Sequence, residues 1–103
     1  MYARVSRYEV PVDNLAEDIR GAADTEKRVS DLPGALGLYY LVDRESGRTM
    51  SVTLWENEQA MRDSESASTQ IRQDTSSSVQ AKIVGIERYE VVTQPSKVPV
   101  GRS

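Results

Sequence analysis

The sequence predicts an α+β domain in which four antiparallel strands form one sheet and two helices pack on one of its faces. Two observations carry that prediction. Residues 33–56, PGALGLYYLVDRESGRTMSVTLWE, read as two strands about a short turn, with apolar side chains on both faces. Segments with apolar residues at helical spacing stand on either side of this hairpin, and a further strand-like run lies beyond each of them.

Residues 2–10 place Tyr2, Val5, Tyr8 and Val10 among alternating polar positions, and Pro11 ends the run by removing a ladder donor. Asp13 or Asn14 suits an N-cap, with Glu17 and Asp18 in the first turn where the helix dipole favours negative charge. Leu15, Ile19, Ala22 and Val29 then predict a helix from about 14 to 30. Leu32-Pro33-Gly34 closes it.

The second strand is expected over 35–43, with Leu36, Leu38, Tyr40 and Val42 on one face and Gly37, Tyr39 and Leu41 on the other. Arg44 to Gly47 forms the turn, and the third strand covers 48–55. Glu56, Asn57 and Glu58 resemble a helix first turn, and Ala60, Met61, Ser64, Ala67, Ser68 and Ile71 continue at helical spacing. Eight of the fifteen residues 64–78 are Ser or Thr, which compete for backbone hydrogen bonds, so the end near 74–78 is expected to fray. A fourth strand is expected over 82–93. The division expected is a domain over 1–94 and a flexible tail over 95–103, whose PSKVPVGRS has two prolines and little to pack.

The order β-α-β-β-α-β is the ferredoxin-like split arrangement, which puts both helices on one side of the sheet. The other side then exposes more apolar surface than a soluble monomer normally tolerates, and a twofold homodimer through the sheet face covers it. The thin core points the same way. Leu, Ile and Val total 22 of 103 residues and Phe is absent, so little apolar mass is available to one protomer alone.

Cys and His are both absent, which removes thiolate nucleophiles, the imidazole base, the Ser-His-Asp triad and most transition-metal sites. The net charge of −3 and scattered basic residues offer no phosphate-tracking face, so no nucleic-acid partner is expected. Charges at Arg4, Arg7 and Glu9 interrupt the stretch a signal peptide would need, and no apolar run can span a bilayer. The expectation is a cytoplasmic protein without a membrane partner.

The string LPGALGLYYLVD, followed by a glycine-containing turn and SVTLWENEQAM, resembles the antibiotic biosynthesis monooxygenase superfamily over residues 2 to about 93. That resemblance implies a dimeric α/β barrel with a cavity between sheet and helices in each subunit. Its members include oxygenases that convert phenolic polyketides to quinones without metal or flavin, haem-degrading enzymes, and small proteins without a known role. The oxygenases pair a tryptophan of the third strand with a nearby asparagine. Trp55 matches the tryptophan, Ser51 stands four residues earlier, and Asn14 and Asn57 both lie outside the strand. The haem-degrading branch uses a histidine of the second helix, which this chain lacks.

Oxidising a phenol without a cofactor requires that its anion be held beside oxygen in a dry pocket, which calls for cations, hydrogen-bond donors and an aromatic wall. Trp55, Tyr40, Tyr39, Ser51 and Arg88 are the pocket candidates; no residue is assigned as catalytic, and neither a cofactor nor a metal is expected. Each also has a plainer reading. Trp55 can be a core residue whose indole needs one acceptor, and Arg88, among Glu87, Tyr89 and Glu90, can form a surface ion pair. The functional expectation is a barrel that binds a small apolar or aromatic molecule, as a cofactor-independent monooxygenase or as a non-enzymatic, stress-type binder. An enclosed pocket of about 300 Å³ or more touching Trp55 would mark an enzyme or binder, and a fully packed interior a scaffold.

Overall fold

The computed structural model describes residues 1–97, so residues 98–103 of the expected tail lie outside the described residues. Strands β1 (Tyr2–Glu9), β2 (Ala35–Val42), β3 (Arg48–Trp55) and β4 (Lys82–Glu90) form one sheet in the order β2-β3-β1-β4, each neighbouring pair antiparallel. Helix α1 (Leu15–Ser30) joins β1 to β2, and α2 (Glu58–Asp63) with α3 (Glu65–Ser78) joins β3 to β4. This is the ferredoxin-like arrangement the sequence predicts.

Register assigns the faces. Tyr2, Arg4, Ser6 and Tyr8 of β1 pair with Trp55, Thr53, Ser51 and Thr49 of β3, and Leu38, Tyr40 and Val42 of β2 extend the same rows. These side chains lie beneath the helices. Ala3, Val5, Met50, Val52, Leu54, Tyr39 and Leu41 occupy the opposite face, which no helix covers. Tyr39 and Tyr40 therefore stand on opposite sides of the sheet, as alternation requires.

The layer under the helices has two apolar ends. At one, Val29, Trp55, Met61 and Ile71 pack with Tyr2, Leu32, Ala35 and Ala60. At the other, Val10, Leu15 and Val79 pack with Tyr8, Val42 and Ala81. Two glycines fix the connections. Gly34, at φ +78°, follows Pro33 in a turn closed by Ala35 N–H donating to the Leu32 carbonyl at 3.1 Å, and a Cβ there would collide with Ala60 Cβ. Gly47, at φ +79°, donates to the Asp43 carbonyl at 3.0 Å.

Several expectations are corrected. Neither Asp13 nor Asn14 caps α1 with its side chain: a 3-10 turn at Val12–Asn14 leads in, and Asn14 Nδ2 instead donates to the Val79 carbonyl at 2.7 Å, tying the start of α1 to the end of α3. The second helix breaks at Ser64 and does not fray at its end. Helix α3 continues through Ser78 because Thr75, Ser76, Ser77 and Ser78 turn their hydroxyls back onto carbonyls three or four residues earlier, which satisfies them without unwinding the helix. Strand β4 stops at Glu90, short of the expected Thr93, and Val92 is largely exposed. A bulge at Leu36, between Ala35 and Gly37, removes that residue from the alternation expected for β2.

Candidate functional site

Between the two apolar ends the helix-facing side of the sheet is polar. On β1 and β3, Arg4, Ser6, Thr49, Ser51 and Thr53 fill the central rows, where a sheet of this kind ordinarily carries aliphatic residues. The facing surface of the helix is equally unusual. Ser64, Ser68, Arg72 and Ser76 recur every fourth residue, so they form one stripe along the helix, and all four are buried. Strand and stripe enclose a cavity of about 70 Å³, closed at its sides by Val29, Leu38 and Ile71.

Arg4 is fixed from several directions. Only 1% of it is exposed, and it donates to Ser68 Oγ at 2.9 Å, to the Met61 carbonyl at 2.6 Å, to Ser64 Oγ at 3.2 Å and to Glu65 at 2.6 Å. The break between α2 and α3 makes this possible: at Ser64 the helix loses its regular ladder, and the Met61 carbonyl turns to Arg4 and to the Ser64 hydroxyl at 2.7 Å. Glu65 bridges outward to Arg88 at 2.5 Å. Burial lowers the Arg4 pKa, an effect opposed by Glu65 and reinforced by the neighbouring positive charge of Arg72. The Arg88 guanidinium, then that of Arg4, holds the Glu65 carboxyl below its usual range.

Arg72 is treated differently. It is 7% exposed, lines the cavity, and among the described residues makes one side-chain hydrogen bond, from Nε to Ser6 Oγ at 3.3 Å. No carboxylate among the described residues pairs with it. On the facing wall, the Tyr40 hydroxyl donates to the Asp18 carboxylate of α1, and burial raises the Asp18 pKa. Two further groups at the cavity, Arg4 Nε and Thr49 Oγ1, are buried without a hydrogen-bond partner among the described residues. The wall thus offers two guanidinium groups, a row of hydroxyls, and one phenol–carboxyl pair.

The cavity opens between α1 and α3. Asp18, Thr25 and Thr75 line both the cavity and an outer groove of about 330 Å³ on the helix surface. Beside that mouth Arg28 of α1 reaches Asp74 of α3 at 3.0 Å, and Gln70 also holds Asp74.

The five residues singled out from sequence fall in different places. Tyr40 and Ser51 line the cavity. Tyr39 lies on the opposite face, 43% exposed. Arg88 forms the outer end of the Arg4–Glu65–Arg88 chain. Trp55 is wholly buried in the apolar end and does not touch the cavity; Arg4, which lies over its ring, does. The cavity is also smaller than the expected 300 Å³, and it is polar where a packed scaffold would be dry. Arg4, Arg72, Asp18 and Ser6 escaped the sequence reading. Among the described residues no group of three or more acidic side chains is placed to hold a metal, and no helix is long and apolar enough to cross a membrane.

No protein-family model matches the chain, and no curated protein matches it. Solved structures do. A candidate antibiotic biosynthesis monooxygenase from Deinococcus radiodurans superposes with a TM-score of 0.72 at 16% identity, over 96% of this chain and all of that one. The haem-degrader MhuD from Mycobacterium tuberculosis, with two haems bound, gives 0.67 at 21% identity over 93% of this chain and 100% of its own. SnoaB, a cofactor-independent oxygenase from Streptomyces nogalater, gives 0.66 at 15% identity over 93% and 97%. Near-complete mutual coverage at these TM-scores shows that the chain shares the fold of these three structures.

Proposed function

We propose that the protein binds a small aromatic molecule with an acidic hydroxyl in the cavity under α1 and α3, and oxidises it with molecular oxygen alone. The observation that supports this is a proton-accepting corner and a cationic wall in one enclosed space: Asp18 with Tyr40 on one side, Arg4 and Arg72 on the other. Burial brings the Asp18 carboxyl closer to the pKa of a phenol, which suits it to take the proton. The guanidinium groups then stabilise the phenolate. A hydroquinone gives its two hydrogens to oxygen, forming quinone and hydrogen peroxide; in a substrate with a ring methylene, such as an anthrone, oxygen adds at that carbon. One atom stays as the new carbonyl and the other leaves as water with the two methylene hydrogens, so no external reductant is consumed. SnoaB, which shares the fold, is a cofactor-independent oxygenase.

The second reading is ligand binding without turnover, favoured by the cavity volume of about 70 Å³ and by Ser51 at the position where the resemblance implies asparagine. A multi-ring substrate enters only if α1 and α3 part at the mouth. An oxygen electrode separates the readings: uptake above background with a panel of hydroquinones and anthrones, reduced at least tenfold in Tyr40→Phe, supports oxidation. Saturable binding without uptake supports the second reading, and neither binding nor uptake removes both.

We further propose a twofold dimer through the bare sheet face. Tyr39, Leu41, Val84 and Tyr89 are between 43% and 53% exposed there, around half-buried Met50 and Val52. The shared fold supports the same pairing.

A further inference from the structure

We infer that the cavity selects a ligand bearing a carboxylate, with Arg72 as its anchor; this rests on the reading that the cavity is the binding site and narrows what enters it. The argument starts from charge. Arg72 is more than nine-tenths buried, it lines the cavity, and its one hydrogen bond among the described residues goes to a neutral serine hydroxyl. A guanidinium removed from water without a counter-charge is costly, and folded proteins retain one where an anion completes it.

Among the described residues no carboxylate on the wall pairs with Arg72. Glu65 neutralises Arg4 from the outer side, where it is 40% exposed and shared with Arg88. Asp18 is already engaged by Tyr40 on the facing wall and makes no ion pair with Arg72. The charge of Arg72 acts on Arg4 and helps to lower its pKa, so two guanidinium groups face the same space.

The shape of the site favours a carboxylate over an inorganic anion. A guanidinium fork that spends Nε on Ser6 keeps its terminal nitrogens for a planar two-oxygen acceptor. Val29, Leu38, Ile71 and Ala22 add an apolar lining that phosphate would leave unused. At roughly 10–15 Å³ of such space per water, about 70 Å³ holds on the order of six non-hydrogen atoms. That is the size of a short branched or oxo acid, or of the carboxyl end of a larger acid whose remainder passes through the mouth.

Calorimetry and amide chemical-shift mapping on the intact protein test this with isobutyrate, its neutral isostere isobutyramide, phenol and inorganic phosphate. The expected result is saturable isobutyrate binding that shifts the amides of Ser6, Tyr40 and Thr75, at least tenfold tighter than isobutyramide or phosphate. Arg72→Met abolishes that preference and Arg62→Gln, at an exposed position, preserves it. In the absence of ligand, Arg72→Met also raises Tm, because the unpaired charge is gone; a guanidinium with a purely structural role would lower it. If Arg72→Met does not fold, Arg72→Lys decides, losing most of the preference if the fork is the anchor. Phenol or isobutyramide bound as tightly as isobutyrate, or phosphate bound as tightly, overturns the carboxylate assignment while leaving the cavity as the binding site. Failure of all four probes to bind overturns both.

Discussion

The Arg4 guanidinium lies over the Trp55 ring, its central carbon 5.5 Å from the ring centroid, while the indole N–H donates to Thr53 Oγ1 at 2.9 Å. The large aromatic closes one apolar end of the core and at the same time supports the cation whose other face meets the cavity. Trp55 thus acts on the site through Arg4.

Truncating Trp55 therefore costs stability first. Trp55→Ala is expected to lose about 3–5 kcal/mol, the range for emptying a buried aromatic site, and Trp55→Phe about 1–3 kcal/mol, since it keeps most of the volume and drops the indole hydrogen bond. Urea midpoints with unchanged m-values check this. As the only tryptophan, Trp55 should emit as a buried indole and resist acrylamide quenching.

Glu65→Gln removes the one carboxylate among the described residues that pairs with buried Arg4. A fully buried pair would cost about 3–5 kcal/mol to break, but solvent on the exposed Glu65 side screens this one, so a loss nearer about 1 kcal/mol is expected. The pH dependence follows from the lowered carboxyl pKa, caused first by Arg88 and then by Arg4. A carboxyl depressed in the folded state contributes stability above its unfolded pKa and loses it as pH falls through the folded value. The advantage of the natural protein over Glu65→Gln should therefore be full at neutral pH and vanish on acidification.

Asp18 shows the opposite sign. Burial raises its pKa, so the folded state is penalised for keeping the carboxylate charged once pH exceeds the ordinary carboxyl range. Asp18→Asn still offers an oxygen to the Tyr40 hydroxyl without that penalty. It should raise Tm at pH 7, with the gain disappearing at pH values where the Asp18 carboxyl is protonated in both the folded and the unfolded state, and it should abolish any proton abstraction in the oxygen-uptake assay. A variant less stable than the natural protein at pH 7 would show that the Tyr40 bond outweighs desolvation.

Gly47→Ala probes the hairpin. The residue sits at φ +79°, and an added Cβ would run into the Val10 carbonyl oxygen, a backbone atom that cannot step aside without disturbing the Val10 N–H to Gly47 carbonyl bond of 2.8 Å. A loss of about 1–3 kcal/mol is expected in thermal unfolding. Gly21, which has open space around it in mid-helix, is the contrasting site: Gly21→Ala should stabilise by about 0.5–1 kcal/mol.

The strand order and the two sheet faces were legible because period-two alternation and the apolar hairpin leave few other arrangements for Leu38, Tyr40 and Trp55. The cavity was not. Strict alternation from Tyr2 to Val10 places Arg4 and Ser6 on the inward face, yet apolar patterning selects Val5 and treats an inward arginine as an error. The stripe Ser64, Ser68, Arg72, Ser76 also has helical spacing, but its residues are polar, so it resembles a weak helix rather than a buried face. What misled in both cases is a core that gives its middle to hydroxyls and guanidinium groups, a conflict between local and global preference of the kind that marks functional sites.

The bare sheet face makes the last prediction. Sedimentation at micromolar concentration should give twice the 11.5 kDa protomer mass. Leu41, half exposed on the edge strand β2 and paired with Met50, is the residue to change: Leu41→Lys should weaken association at least tenfold and leave the circular dichroism unaltered, because no contact beneath the helices is touched. The same face carries the Arg7–Glu87 ion pair at 2.9 Å, which a partner sheet would strip of water. Arg7→Met with Glu87→Met, replacing both charges by apolar groups, should therefore tighten the dimer, whereas either single change, leaving one charge unpaired, should loosen it. A lone protomer in the unmodified protein would contradict the dimer, and equal effects of the single and double changes would place the contact elsewhere on the surface.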